Sequence, residues 1–205
     1  MSQYFEIHPI NPQLRLIKRA VEMIEQGALV IYPTDSCYAL GCKLGDKEAL
    51  DRMRRIREVD EHHNFTLVCR DLSELGVYSF VDNATYRMLR SYTPGPFTFI
   101  LKASREVPRR MQAPKRKTIG LRIPDHPIAL ELLEQLGQPI MSSTLIMPGD
   151  DVPMSEPLEI RERLEHLVDL VIDGGPVGLE PTTVVDMVDG AFEVLRQGKG
   201  QFEQT

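Results

Sequence analysis

In the stretch Ala28–Cys42, ALVIYPTDSCYALGC, an apolar run ends at a proline and gives way to three short polar side chains. Ala28 to Tyr32 has the branched and aromatic composition of a buried strand. Pro33 stops it, because proline has no N–H to give a sheet ladder. Thr34, Asp35 and Ser36 then fall at a strand end, where open α/β sheets place ligand-contacting groups. Tyr38, Gly41 and Cys42 follow, with Gly41 free to take backbone angles that other residues avoid. An isolated P-T-D-S is equally the sequence of an ordinary polar turn, so the rest of the chain has to decide.

Working outward, residues 13–26 carry Leu14, Ile17, Val21 and Ile24 on one stripe with Gly27 behind them, which predicts an amphipathic helix. Downstream, Asp46 is placed to cap a helix running to about Arg57, with Ala49, Met53 and Ile56 facing inward. Glu58–Asn64 has no apolar period and reads as a loop. Phe65–Cys69 is a strand, followed by a short helix near Leu72–Leu75. A helix is expected from about Asn83 to Tyr92, stopped by Pro94-Gly95-Pro96. Strands at Phe97–Leu101 and Thr118–Ile123, a helix at Pro127–Leu136 ended by Gly137, and a strand at Pro139–Ser143 come next. A helix at Leu158–His166 precedes three short strands, Val168–Ile172, Thr183–Met187 and Phe192–Leu195. Strands interleaved with helices predict a single layered α/β domain, and the late strands without helices between them predict an antiparallel portion, hence a mixed sheet.

Composition excludes several classes of protein. The 205 residues are 42% hydrophobic and 26% charged, as in an ordinary globular domain. No apolar run approaches a membrane span, and the N-terminus lacks the basic and apolar regions of a signal peptide. Cys37, Cys42 and Cys69 form no C-x-x-C pair, so free thiols and a cytoplasmic location are expected. With His62 and His63 they match no common zinc spacing, and no metal site is expected. The net charge of −6 conceals two basic islands, Arg52 to Arg57 and Arg105 to Lys117. Such islands on an acidic chain suit a localised anion site, such as a phosphate or RNA backbone, or two solvated basic faces.

Hydroxyl and basic residues recur at strand ends. Thr34 and Ser36 follow one strand and Ser142 to Thr144 end another, Thr182 and Thr183 open a third, and Arg122 and Arg196 close others. Hydroxyls with arginines suit a phosphorylated or carboxylated ligand, since guanidinium meets such oxygens bidentately. Neither G-x-x-x-x-G-K-[ST] nor G-x-G-x-x-G occurs, and no G-x-S-x-G elbow marks a hydrolase serine. Asp173-Gly174-Gly175 reads as a tight turn first and a ligand-facing loop second.

Taken together, Tyr32-Pro33-Thr34-Asp35-Ser36 with Gly41, Pro94-Gly95-Pro96-Phe97-Thr98, Leu121 to Pro127 (LRIPDHP), Asp173-Gly174-Gly175, Thr182 to Asp186 (TTVVD) and Leu195 to Gly198 (LRQG) resemble the YrdC-like superfamily of threonylcarbamoyl-AMP synthases, nearest to its YciO branch. The resemblance covers residues 9–200. It implies one YrdC-like domain, a twisted mixed parallel and antiparallel sheet with helices on its faces and a basic concave groove. Synthases of this superfamily condense threonine, bicarbonate and ATP into threonylcarbamoyl-adenylate and pyrophosphate, on the way to threonylcarbamoyladenosine in tRNA. Related domains handle carbamoyl-adenylate in hydrogenase maturation, and the superfamily is also associated with double-stranded RNA.

By this resemblance, Thr34 and Ser36 sit on the amino-acid side of the groove, and Arg57, Arg122, Ser142, Thr144, Thr183 and Arg196 line the threonine and ATP sites. ATP, with or without Mg²⁺, is the implied nucleotide, and no cofactor is expected to be tightly bound. Two departures stand out. Where synthases carry Lys-x-Arg-Pro, this chain reads Arg55 to Asp60 (RIREVD). Arg57 is the nearest counterpart of the lysine, and a register using Arg55 and Arg57 as the pair stays open. Where synthases carry Ser-x-Asn, this chain has Thr144-Leu145-Ile146, which keeps a hydroxyl and loses an amide. Two classes of function remain: a synthase-like nucleotidyltransferase with weakened or altered activity, and a non-catalytic module binding nucleotide, tRNA or double-stranded RNA. RNA contacts would run through Arg109, Arg110, Lys115, Arg116 and Lys117. No membrane partner is expected, and the catalytic residues are unassigned beyond the nearest counterparts Arg57 and Thr144.

Overall fold

Local signals account for most of the element boundaries in the computed structural model, which describes residues 1–190 and 192–203. In chain order the elements are β1 (Gln3–Glu6), α1 (Leu14–Glu25), β2 (Val30–Tyr32), β3 (Ala39–Lys43), α2 (Lys47–Arg57), β4 (Thr66–Val68), α3 (Leu72–Tyr78) and α4 (Asn83–Tyr92). They continue with β5 (Phe97–Lys102), β6 (Thr118–Arg122), α5 (Pro127–Leu136), β7 (Ile140–Thr144), α6 (Pro157–Leu164), β8 (Leu170–Asp173), β9 (Thr183–Asp186) and β10 (Glu193–Arg196). Asp46, Asp71 and Asp82 cap α2, α3 and α4, each accepting from the backbone N–H three residues on, at 3.0, 2.8 and 2.7 Å. Gly137, at φ 69°, closes α5 in the left-handed conformation.

The strands form one mixed α/β sheet of ten in the order β1-β8-β2-β3-β7-β4-β6-β5-β9-β10. Parallel pairs join β1 to β8, β8 to β2, β4 to β6 and β5 to β9. The other neighbours are antiparallel.

Four features differ from the sequence reading. β1 adds a parallel edge ahead of α1. Residues 39–43 are a strand that folds back antiparallel on β2, not the continuation of a turn. Gly41 accordingly has ordinary strand geometry and is small for a different reason: a Cβ there would stand 2.7 Å from the Tyr32 ring and 2.8 Å from Ile140. Of the last three strands, β9 and β10 pair antiparallel as expected, but β8 lies toward the opposite end of the sheet, parallel to β1 and β2. Finally, Leu14 is exposed, and Ala20 takes its place in the buried stripe of α1 with Ile17, Val21 and Ile24.

The two faces of the sheet are covered unequally. One carries a continuous core: Leu40, Leu67, Phe99, Leu121, Met141 and Val185 pack there with Leu50 and Met53 of α2, Leu75 of α3, Leu89 of α4 and Ile160 of α6. The other is covered by α1 and α5, whose Ile17, Ile24, Leu132 and Leu133 cluster with Val30, Tyr32, Ile140, Leu170 and Ile172. These two helices cover the β8, β2, β3 and β7 side, with Val68 of β4 at its border. The remaining width of that face is a concave floor without a helix.

Candidate functional site

Side chains alternate across a strand, so each strand that sends a large apolar residue into the continuous core sends its neighbours to the bare floor. There the sequence places several small or hydroxylated residues among the branched apolar ones Val68, Ile100 and Val184. Thr66 stands opposite Ser142 on one side and Gly120 on the other. Gly120 in turn stands opposite Ile100, Thr98 opposite Val184, and Ala39 opposite Thr144. Between them lies a cavity of about 300 Å³. This alternation was present in the sequence as T-L-V, T-F-I and T-I-G-L-R, and a period-of-two reading would have located the floor.

Arg57, Arg122 and Arg196 enter the cavity wall from three directions. Arg57 is delivered by the C-terminal end of α2. Its guanidinium donates to the Ser143 hydroxyl and the Thr144 carbonyl, and Nε is buried without a partner. Among the described residues it has no ion pair, and burial lowers its pKa. Arg196, from the end of β10, donates to the Thr182 carbonyl at 3.2 and 2.9 Å, and burial lowers its pKa too. Arg122, from the end of β6, is buried and pairs with Asp35 while donating to Ser36 Oγ at 3.2 Å.

The Pro33 to Cys37 turn is organised by Thr34. Its hydroxyl donates to the Cys37 carbonyl at 2.6 Å and accepts from the Ser36 and Cys37 amides at 3.2 Å. Such side-chain-to-backbone bonding is what makes threonine a turn former. The turn is held from behind by Asp173-Gly174-Gly175. A Cβ on Gly174 would stand 2.8 Å from the Pro33 ring, and Tyr38 donates to the Gly175 carbonyl at 2.8 Å. That motif is therefore a tight support for the turn.

Thr34, Ser36, Arg57, Arg122, Ser142, Thr144 and Arg196 all line the one cavity, and Thr34 and Thr144 share a face of the sheet. Thr183 does not line it. Strand alternation turns its hydroxyl to the other side, where it donates to the Gly200 carbonyl and accepts from the Gly198 amide at 2.9 Å. Thr182 takes the lining position and shares a 2.8 Å hydrogen bond with Thr98. Ile146 lines the cavity as an apolar side chain.

Sequence reasoning missed His63 and Asn64, which also line the cavity from the loop before β4. His63 packs edge-on against Phe65, and burial, then the nearby Arg57, lowers its pKa. Lys199 was missed as well; its ammonium donates to the Asp35 carbonyl. Nothing local distinguished these from surface residues.

Of the five cations expected to meet RNA, all are exposed on the connection between β5 and β6. Two are tied down: Arg110 donates to the Gly45 carbonyl at 2.7 Å, and Arg116 pairs with Asp186 at 2.5 Å. Arg109, Lys115 and Lys117 have no ion pair among the described residues. Met111 of the same connection lines the cavity, so the basic stretch borders it. Among the described residues, no group of three His, Cys, Asp or Glu side chains is placed to hold a metal ion. Among the described residues, no helix is long and apolar enough to cross a membrane.

Comparison with known proteins adds a family. The Sua5/YciO/YrdC family, described as "Telomere recombination", matches residues 22–198. The uncharacterized protein YciO of Escherichia coli strain K12 is 56% identical over 200 residues, covering 98% of this chain and 97% of that protein. The crystal structure of E. coli YciO superposes with a TM-score of 0.94 over 98% of each chain. Threonylcarbamoyl-AMP synthase of Neisseria gonorrhoeae is 30% identical over 166 residues, covering 80% of this chain and 86% of that enzyme. The structure of P. abyssi Sua5 complexed with L-threonine matches at 26% identity and a TM-score of 0.87, covering 96% of this chain and 58% of that one.

Proposed function

We propose, from the premise that this chain belongs to the Sua5/YciO/YrdC family, that its groove binds ATP with a small amino acid and carries out a weakened or altered form of threonylcarbamoyl-AMP synthesis. It would act as a nucleotidyltransferase-like enzyme in the cytoplasm. The observation that carries this reading is Arg57, a half-buried guanidinium in the cavity wall with no carboxylate partner among the described residues. A desolvated cation without a counter-charge is costly, and an anionic ligand offsets that cost.

In this reading the ligand's phosphates lie against Arg57 and Arg196, and Ser142 and Thr144 offer hydroxyls along the floor. A carbamate oxygen of the N-carboxylated amino acid attacks the α-phosphorus of ATP. The new P–O bond forms as the bond to pyrophosphate breaks, so the residues' task is to position the two ligands and disperse phosphate charge. Thr34 contributes by shaping the turn that carries Ser36, its own hydroxyl being fully engaged.

The test is ATP–pyrophosphate exchange screened over amino acids, each with and without bicarbonate. Exchange that needs both an amino acid and bicarbonate, and that falls about a hundredfold or more in Arg57→Ala, supports the reading. No exchange with any amino acid overturns it. Ile146 sharpens the comparison with synthases, because an asparagine amide there would offer donors and an acceptor that isoleucine lacks. A missing partner leaves ligand polar groups unpaired at about 1–3 kcal/mol each, roughly 5- to 150-fold in affinity. Ile146→Asn is therefore expected to tighten ATP binding in calorimetric titration, with further gain in exchange when combined with Arg57→Lys. Equal affinity in all three proteins would mean that position 146 does not separate this chain from the synthases.

One observation favours a second reading. Arg109, Lys115 and Lys117 are exposed, without an ion pair among the described residues, on the connection that borders the cavity. A module that binds tRNA or double-stranded RNA without turnover would use them as phosphate contacts. Salt-sensitive RNA binding with no ATP consumption would select it.

A further inference from the structure

We infer that Asp35 is a positioning residue that sets the direction and the effective charge of Arg122 in the groove. Three facts point to it. The pair is buried: the Arg122 side chain is 9% exposed and the Asp35 side chain 10%. The guanidinium is held at both ends, one terminal nitrogen donating to Asp35 Oδ1 and the other to Ser36 Oγ at 3.2 Å. Arg122 Nε and Asp35 Oδ2 are buried polar atoms without partners. The contact between the two groups is therefore single, through one terminal nitrogen and one oxygen, and the planar fork that guanidinium and carboxylate can form is left incomplete. The partner is a carboxylate built into the turn, with its backbone carbonyl pinned by Lys199.

This makes Arg122 unlike its neighbours. Arg57 and Arg196 donate only to neutral oxygens and keep their full charge toward the cavity. The charge of Arg122 is offset by Asp35, so an anion in the groove is drawn mainly by the other two, while Arg122 supplies donors in a fixed plane. Asp35 also acts as a resident anion with which an incoming phosphate or carboxylate must compete for this guanidinium. The sign of the consequence is opposite to that of a structural residue. Removing the carboxylate should increase the attraction of the groove for a simple anion.

The inference rests on the reading of the groove as an anion site, and inorganic pyrophosphate serves as the probe. In calorimetric titration, Asp35→Asn should bind pyrophosphate about tenfold more tightly than the wild-type chain, with a steeper salt dependence. Adding Arg122→Gln to Asp35→Asn should return both to near the wild-type values. Unchanged or weaker binding in a folded Asp35→Asn protein would overturn the inference. A second variant separates charge from any folding defect: Asp35→Glu keeps the carboxylate and should leave pyrophosphate affinity near the wild-type value. A folded Asp35→Glu protein that gained affinity as much as Asp35→Asn would overturn it equally. If wild type binds neither ATP nor pyrophosphate, the proposed function fails, but the comparison of Asp35→Asn with Asp35→Glu still decides the role of Asp35.

Discussion

One face of the sheet is built in two halves. Under α1 and α5 it presents Val30, Tyr32, Ile140, Leu170 and Ile172, and it is a sealed core. Beyond them the same face presents Thr66, Thr98, Gly120, Ser142 and Thr144, and it is a cavity floor. Both halves obey the same alternation, and both have the continuous core behind them. What differs is whether the outward positions are uniformly large and apolar, which needs a helix over them, or are interrupted by small and hydroxylated residues beside Ile100 and Val184. The groove is therefore a consequence of side-chain choice on strands whose backbone is otherwise uniform.

Breaking the covered half should cost the most. Leu132→Ala, in the fully buried stripe of α5, is expected to lower stability by about 2–5 kcal/mol. Thr66→Ala, on the bare half, should change it by about 0.5 kcal/mol or less. Urea unfolding midpoints compare the two, and equal losses would mean that the halves are not energetically distinct.

Glycine substitutions sharpen the contrast. Gly41→Ala drives a methyl to 2.7 Å from the buried Tyr32 ring and should destabilise by about 1–3 kcal/mol. Gly120→Val adds bulk where a Cβ stands 3.3 Å from the Thr98 methyl and 3.4 Å from the Thr66 hydroxyl. It should obstruct the floor, weakening ATP binding about tenfold or more while shifting the melting temperature less than Gly41→Ala does. A Gly120→Val protein with full affinity would show that ligand does not occupy the floor.

A smaller effect concerns the rim. Replacing Arg109, Lys115 and Lys117 together by Ala should leave stability nearly unchanged and reduce the slope of log affinity for RNA against log salt by roughly 2–3 units. Arg110 and Arg116, already engaged with Gly45 and Asp186, should contribute less. An unchanged slope would place RNA contacts on another surface.

The smallest effect is on pH dependence. Burial lowers the pKa of His63 at the groove and of His126 at the start of α5. A histidine with a depressed folded pKa favours the neutral form in the folded state. Its contribution to stability is thus complete above the unfolded value of about 6.5 and is lost as pH falls through the folded value. Melting temperature should decline from pH 7.5 to pH 5, and His63→Gln should flatten part of that decline. A decline unaltered by His63→Gln would assign it to other groups.

The sequence made much of the molecule legible where the determinants are local. Asp46 capping α2, Gly137 ending α5 and the stop at Pro94-Gly95-Pro96 depend on a few adjacent residues, and those boundaries match. The hydroxyls and arginines at strand ends were legible as types, and seven of the eight expected around the cavity line it. Thr183 went astray because two neighbouring threonines point to opposite faces, and only the strand register decides which one looks inward. His63, Asn64 and Lys199 were invisible because their place follows from where loops land.

By itself, then, the sequence determined the α/β class, nearly all the helices and strands, and the residue types available to a ligand. These follow from periodicity, capping and turn chemistry within a few residues of each position. Tertiary structure alone decided that β8 leaves β9 and β10 to lie between β1 and β2, and that α1 and α5 stop short of half a face. It also decided that Arg57 meets Ser143 and that Arg122 meets Asp35, across 86 and 87 residues of chain. The physical reason is that strand order and helix coverage are set by how apolar surfaces far apart in sequence bury one another, and no local window holds that information.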